Sequence, residues 1–329
     1  MKFILHIGTH KTGTTAIQHF FRKNDEIIRS KGLWYPNYDL IGMKKGYAHH
    51  EVAHTIAGKG NFLNHTLLKE FIEKIKSNSA EGEKVLISAE PFCRHLANKP
   101  LVENSWRLKE LYVERVAKVF GPKSDILFVI RRQDKFATSL YQETVKVNRY
   151  SKKFSFFLNE FSLRFNYLKN IRLWQKYFDN VNVVVFEDLT KNGNLEFNFA
   201  KHLGIKSLDG CEFTKIKNES LPSALVEFKR LINGLPLSLN TLKNISTKLL
   251  NKNIWEDLKL PEVSCYWPTP SQRDSFLDQY EEQNRHIKEN YYKISRDTLF
   301  PNQRDTYPNT NSDYLPEELF LEIFNRVAY

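Results

Sequence analysis

The sequence predicts an α/β fold: a three-layer, P-loop-like parallel sheet with helices on both faces, followed by a C-terminal helical extension. Three observations carry this. Short apolar runs at 3–7, 85–89, 125–130 and 181–186 have the length and content of buried strands. Segments of helical periodicity separate them, and strands alternating with helices imply a parallel sheet covered on both sides. Lys11, Glu90, Arg131 and Asp188 each stand just after one of the apolar runs. In such sheets ligands sit at the carboxyl ends of the strands.

Taken in order, the first strand runs into Gly8-Thr9-His10-Lys11-Thr12-Gly13-Thr14-Thr15. A helix is expected over 15–31, on Ile17, Phe20, Phe21, Ile27 and Ile28, with Gly32 as its stop. Residues 33–62 carry aromatics, glycines and the cluster His49, His50, His54, and read as loop and short helix over one end of the sheet. A helix over 66–77 precedes the second strand, which ends at Glu90-Pro91. The helix over 106–120 stops at Gly121-Pro122, and the third strand ends at Arg131-Arg132. Helical pattern follows over 135–147 and 157–178. The fourth strand leads into Glu187-Asp188-Leu189, and a helix over 194–203 stops at Gly204. Beyond 205 helices take over, at 222–233, 238–251 and 271–292, the last with Ser271 and Asp274 as a cap. The organisation read from this is one domain over 1–329: an α/β core at 1–204, with 205–329 as a helical extension or lid on it.

A chain of 329 residues that is 41% hydrophobic can bury a large core, which excludes a disordered protein. Its net charge of +11 suits anionic partners, such as nucleotides, phosphate or sulfate groups, nucleic acid or acidic glycans. Three widely spaced cysteines, Cys93, Cys211 and Cys265, show neither a disulfide framework nor zinc spacing. No apolar run approaches the roughly 18 residues of a membrane span. The expectation is a cytoplasmic protein with no secretory leader and no transmembrane segment.

Strand, glycine-rich loop and helix form the layout that cradles a phosphate, with loop N–H groups and the helix N-terminus facing the anion. A nucleoside-triphosphatase loop has its lysine directly after the second glycine. Here Thr14 follows Gly13, and the lysine is Lys11, inside the loop. An ordinary strand-to-helix turn, with threonine caps and a solvent lysine, has the same outline. K-x-G-T-T after a first strand resembles the 5′-phosphosulfate loop of sulfotransferases, which use 3′-phosphoadenosine 5′-phosphosulfate (PAPS). That resemblance implies that His10, Lys11, Thr12, Gly13, Thr14 and Thr15 bind the co-substrate.

Two further signals extend the resemblance. Arg131 leaves a strand, and Ser139 stands eight positions on, one turn into a helix. A charged fork and a hydroxyl at that spacing can reach one phosphate, and the family's 3′-phosphate motif has the same separation. Glu90, held by Pro91 at a strand end, has the chemistry of a general base. Ser88-Ala89-Glu90-Pro91-Phe92 resembles the branch that sulfates glycans, which implies a catalytic Glu90 beside Lys11 and a carbohydrate or other hydroxyl-bearing acceptor. A strand-end salt bridge with Arg94 is the alternative for Glu90. His49, His50 and His54 are candidates for acceptor contact or for plain structure. The likeness covers about 3–204. It departs at Ala16, where cytosolic members carry tryptophan, and in lacking their late Arg-Lys-Gly motif. The reading is therefore PAPS-dependent transfer, with no metal and no nucleic-acid partner. Two other classes stay open: a P-loop kinase holding Mg²⁺ through Glu187 or Asp188, and a basic glycan- or nucleic-acid-binding protein.

Overall fold

The computed structural model describes residues 1–9, 11–44, 46–95, 105–213, 221–260, 266–301 and 315–328. In chain order its elements are β1 (Lys2–His6), α1 (Thr14–Lys23), α2 (Asp25–Ser30), β2 (Leu33–Trp34), α3 (His50–Ile56), α4 (His65–Asn78), β3 (Lys84–Ser88) and α5 (Pro91–Arg94). They continue with α6 (Ser105–Phe120), β4 (Asp125–Ile130), α7 (Gln133–Val147), α8 (Phe154–Glu160), α9 (Tyr167–Gln175), β5 (Asn180–Val185), α10 (Phe186–Leu189) and α11 (Leu195–His202). The remainder is helical: α12 (Ser223–Asn233), α13 (Leu239–Leu249), α14 (Pro270–Asp278), α15 (Glu281–Asn290) and α16 (Glu317–Ala328).

The chain divides into two compact units. The first comprises Met1–Arg132, Leu163–Ile216 and Glu281–Asn302, and the second Gln133–Ser162, Lys217–Tyr280 and Gln303–Tyr329. The division falls elsewhere than at residue 204: α7 and α8 group with later helices, and α15 groups with the sheet.

The first unit is the expected α/β fold. Its five strands are parallel, in the order β2-β3-β1-β4-β5. β1 pairs β3 with Phe3 opposite Val85 and His6 opposite Ser88. Successive strand residues face opposite sides. Ile4, Leu86, Leu127, Val129 and Val184 therefore share one face, where they pack with Ile17, Phe20 and Phe21 of α1 and Phe199 of α11. On the other face Phe3 meets Phe120 of α6 edge-on at 5.1 Å, and Phe128 meets Tyr167 of α9 at 6.3 Å. The chain leaving β1 thus covers one face, and the chain leaving β3 leads to α6 on the other. Adjacent strands whose connections diverge open a crevice at their carboxyl ends. Here that crevice lies between β1 and β3.

Several elements differ from the sequence reading. The helix expected over 15–31 breaks at Asn24, whose Nδ2 donates to Phe20 O at 2.9 Å and whose Oδ1 accepts from Glu212 N at 2.7 Å. A side chain that bonds nearby backbone competes with helix continuation. The 157–178 segment resolves into α8 and α9, with Asn166 capping the latter through Lys169 N. The 271–292 segment resolves into α14 and α15, and Thr269 rather than Ser271 caps α14. β2 is a two-residue edge strand on β3.

Candidate active site at the carboxyl edge of the sheet

After β1 the chain keeps to β4: Ile7 N donates to Leu127 O at 3.0 Å and Thr9 N to Val129 O at 2.9 Å. Gly8 is needed there. A Cβ at this position would stand 2.7 Å from His6 Nε2 and 3.3 Å from Val129 Cβ. The loop then turns through two left-handed residues, Lys11 at φ 68° and Gly13 at φ 69°. At Lys11 this conformation costs about 1–2 kcal/mol, as for any residue with a Cβ. Thr12 Oγ1 closes the loop by donating to Thr9 O at 2.6 Å. Gly13 begins α1 without a side-chain cap, and the first turn carries no acid. Turn N–H groups and an uncapped helix N-terminus together suit an anion.

Arg131 reaches this loop from the end of β4. Its Nη1 donates to Lys11 O at 3.0 Å, and its guanidinium lies 5.3 Å above the Phe186 ring. Tyr167 Oη holds the Arg131 carbonyl at 2.7 Å. Lys11, Thr12, Gly13, Thr14 and Arg131 are therefore brought to one place, with Thr15 in the first turn of α1. His10 lies outside the described residues. Ser139 lies on α7, in the second unit.

Glu90 follows β3 directly and begins the one-turn helix α5. It is only 5% exposed. Thr14 Oγ1 donates to its Oε1, and Gln18 Nε2 donates to its Oε2 at 3.4 Å. His50 Nε2 bonds the same Oε2. Thr14 and Gln18 are one turn apart on α1, so both face the carboxylate. Gln18 also reaches Ser88 Oγ at 3.2 Å, and Ser88 Oγ bonds His6 Nδ1 at 2.8 Å. The result is a buried polar network joining β1, β3 and α1. Burial pushes His6 down to about 4 against an opposing push from the Glu90 charge, so the ring is neutral at pH 7.

The three clustered histidines have three different destinations. His49 is buried: its Nδ1 accepts from Ser88 N at 3.1 Å, and its Nε2 donates to Pro36 O at 2.6 Å. These bonds set its tautomer, and burial lowers its pKa to about 4. It is a bracket holding β3, with both ring nitrogens taken. His50 is the member that touches Glu90, and its side chain is 37% exposed. His54 Nδ1 meets His95 Nε2 at 2.9 Å. Burial lowers both, His95 to about 3 with further push from His54 and Arg94. Gln18 and Ser88 were absent from the sequence-derived site. Gln18 had a signal, since it lies four residues after Thr14 on the same helix face.

The fourth strand ends in two acids with structural partners. Asp188 pairs with Arg296 at 2.6 Å and accepts from Tyr292 Oη at 2.8 Å. Glu187 Oε1 accepts from Arg132 N at 3.0 Å, and burial raises its pKa. Both oxygens of Asp188 are thus engaged. Among the described residues no group of three or more His, Cys, Asp and Glu is placed to hold a metal ion. No helix among them is long and apolar enough to cross a membrane.

No family model matches the chain, and no curated protein matches it. Among solved structures it is similar to a sulfotransferase from Alicyclobacillus acidocaldarius, at 14% identity and a TM-score of 0.42, over 74% of this chain and 99% of that one. At that identity and degree of superposition the likeness bears on neither activity nor ligand.

Proposed function

We propose that the chain is a sulfotransferase moving a sulfuryl group from PAPS to a hydroxyl, or an amine, of a carbohydrate or glycolipid acceptor. The observation that supports this most is the bond between Thr14 and Glu90 at the crevice between β1 and β3. It joins a buried carboxylate to the first turn of a helix whose N-terminus suits an anion. Two features of the loop support a 5′-phosphosulfate there: Gly8 lets the backbone pass close to His6 and Val129, and left-handed Lys11 and Gly13 turn the chain into the N-terminus of α1.

When bound, PAPS supplies the sulfuryl group on its 5′-phosphate. Glu90 takes the proton of the acceptor hydroxyl as that oxygen bonds to sulfur. Thr14, Gln18 and His50 set the carboxylate's orientation, and His50 acts as a positioning residue. Lys11, the N–H groups of the loop and of Thr14, and the Thr15 hydroxyl stabilise negative charge gathering on the released 5′-phosphate, while the Thr14 hydroxyl stays on Glu90. Arg131 and Ser139 are assigned to the 3′-phosphate on their spacing in the sequence, and His10 to the phosphosulfate loop on the resemblance. His54 stays a candidate for acceptor contact, while the bonds to His49 favour a structural part for it. No step in this scheme calls on a metal. The cytoplasmic setting is proposed on the wide spacing of Cys93, Cys211 and Cys265 in the sequence.

Calorimetric titration tests the assignment. 3′,5′-Diphosphoadenosine is expected to bind the wild-type chain and Glu90→Gln alike, and ATP–Mg²⁺ is expected to bind far more weakly. Preference for ATP–Mg²⁺ would make the chain a phosphotransferase. No nucleotide binding, with glycan affinity falling steeply in salt, would make it a binding protein.

A further inference from the structure

We propose that the second unit binds a small anionic amphiphile, one carboxylate or sulfate on a short alkyl or aryl body, in a cavity among α7, α12 and α13. The cavity measures about 280 Å³, and its lining includes Val147, Leu221, Leu249 and Leu250 together with Lys146 and Lys229. That volume lies near the low end of the roughly 300–1,000 Å³ usual for ligand pockets, which selects a small occupant.

Lys229 carries the inference. It is 3% exposed, and its ammonium donates to Asn233 Oδ1, a neutral amide one turn further along α12. Among the described residues no carboxylate pairs with it. The acid nearest in sequence, Glu227, is engaged by Arg230, whose Nε donates to Glu227 Oε2 at 2.8 Å. The one acid on the cavity wall, Glu143, is paired with Lys146 at 3.4 Å. Burial, with the like charge of Arg149, disfavours the Lys229 ammonium. A buried cation without a counter-ion is costly, and buried charges are ordinarily paired. An anion in the cavity supplies the missing charge, and the leucine side chains receive an apolar body. Two of the lining residues are left in water, Val147 at 70% and Leu250 at 61% exposure. They mark an apolar mouth through which a longer tail leaves. This site is independent of the sulfotransferase assignment.

The test titrates the full chain with octanoate, 1-octanol and octylammonium at pH 7, followed by calorimetry. Octanoate is expected to bind at least about tenfold more tightly than octanol, as a charge-assisted contact in an apolar site requires, and octylammonium not to bind. Lys229→Met should remove the preference for octanoate over octanol. Ser246→Trp, which fills the cavity from α13, should abolish binding of both. Should Lys229→Met fail to fold, Ser246→Trp decides alone. Equal binding of octanoate and octanol by the wild-type chain, absence of octanoate binding, or octanoate binding unchanged in Ser246→Trp would overturn the proposal.

Discussion

The two ends of the sheet use the same five strands and place charge in opposite ways. At the carboxyl end Glu90 is buried and held by side chains from two helices. At the amino end Asp125 meets Lys2 at 2.7 Å with both side chains partly in water. Lys84 there donates to Leu203 O at 3.0 Å, beside a cleft of about 260 Å³. Exposed pairs of this kind contribute about 0–1 kcal/mol. A buried carboxylate held by several donors is costly to bury and costly to disturb. Chemistry is therefore sought at the end that keeps the expensive arrangement.

The comparison breaks most directly through activity. Glu90→Gln and Lys11→Ala are each expected to lose about 10²- to 10⁴-fold in turnover, the usual scale for general-base and charge-stabilising groups. Asp125→Asn is expected to leave the proposed sulfuryl transfer unchanged. Equal losses in Glu90→Gln and Asp125→Asn, measured as initial rates, would erase the distinction between the ends.

Acid stability offers the next largest effect. His6 and His49 are both held near 4 by burial, against 6.5 unperturbed. The folded rings stay neutral while the unfolded chain takes up protons. Their contribution is complete above about pH 6.5 and falls as pH drops towards 4, by roughly 3 kcal/mol for each at most. Urea unfolding across that window should show a shallower pH slope for His49→Gln than for wild type. An unchanged slope would mean that His49 titrates normally when folded.

Two glycines sharpen the contrast further. Gly13 and Gly82 have nearly the same φ, 69° and 75°. An added Cβ at Gly13 would stand 2.5 Å from Leu195 Cδ2, while at Gly82 it meets nothing within 4 Å. Gly13→Ala is expected to lower the unfolding free energy by about 2–4 kcal/mol, from backbone strain plus overpacking, and Gly82→Ala by about 1 kcal/mol. Matching thermal shifts would remove the claim that the loop is closely packed. The smallest effect belongs to Asp125→Asn, within about 1 kcal/mol of wild type in the same unfolding assay.

Much of this was legible in the sequence, and for identifiable reasons. Four strands read as buried runs because a parallel sheet covered on both faces shows no polar alternation. β2 has two residues and leaves no pattern. Helix breaks at Asn24 and near Asn166 depend on side chains that bond backbone, one of them 188 residues away. Loop 8–13 announced itself through its glycines. That Glu90 would face Thr14 required the register of β1 on β3, which no local pattern encodes. His49 and His50 are adjacent in sequence and differ completely in role, because successive residues at a helix start point in different directions.

The network linking His6, Ser88, Gln18, Thr14 and Glu90 also has a bearing on folding. Its hydrogen bonds span 70 to 82 residues. No segment ending before Ser88 can contain them, so the loop at 8–13 and the first turn of α1 cannot acquire their partner carboxylate locally. Contacts this distant in sequence form only after a large loop has closed, and they slow folding accordingly. The crevice is thus a late product of assembly, completed when β3 docks on β1 and lost when that pairing opens. Hydrogen exchange at Ala89, whose amide donates to His6 O at 3.1 Å, reports that event.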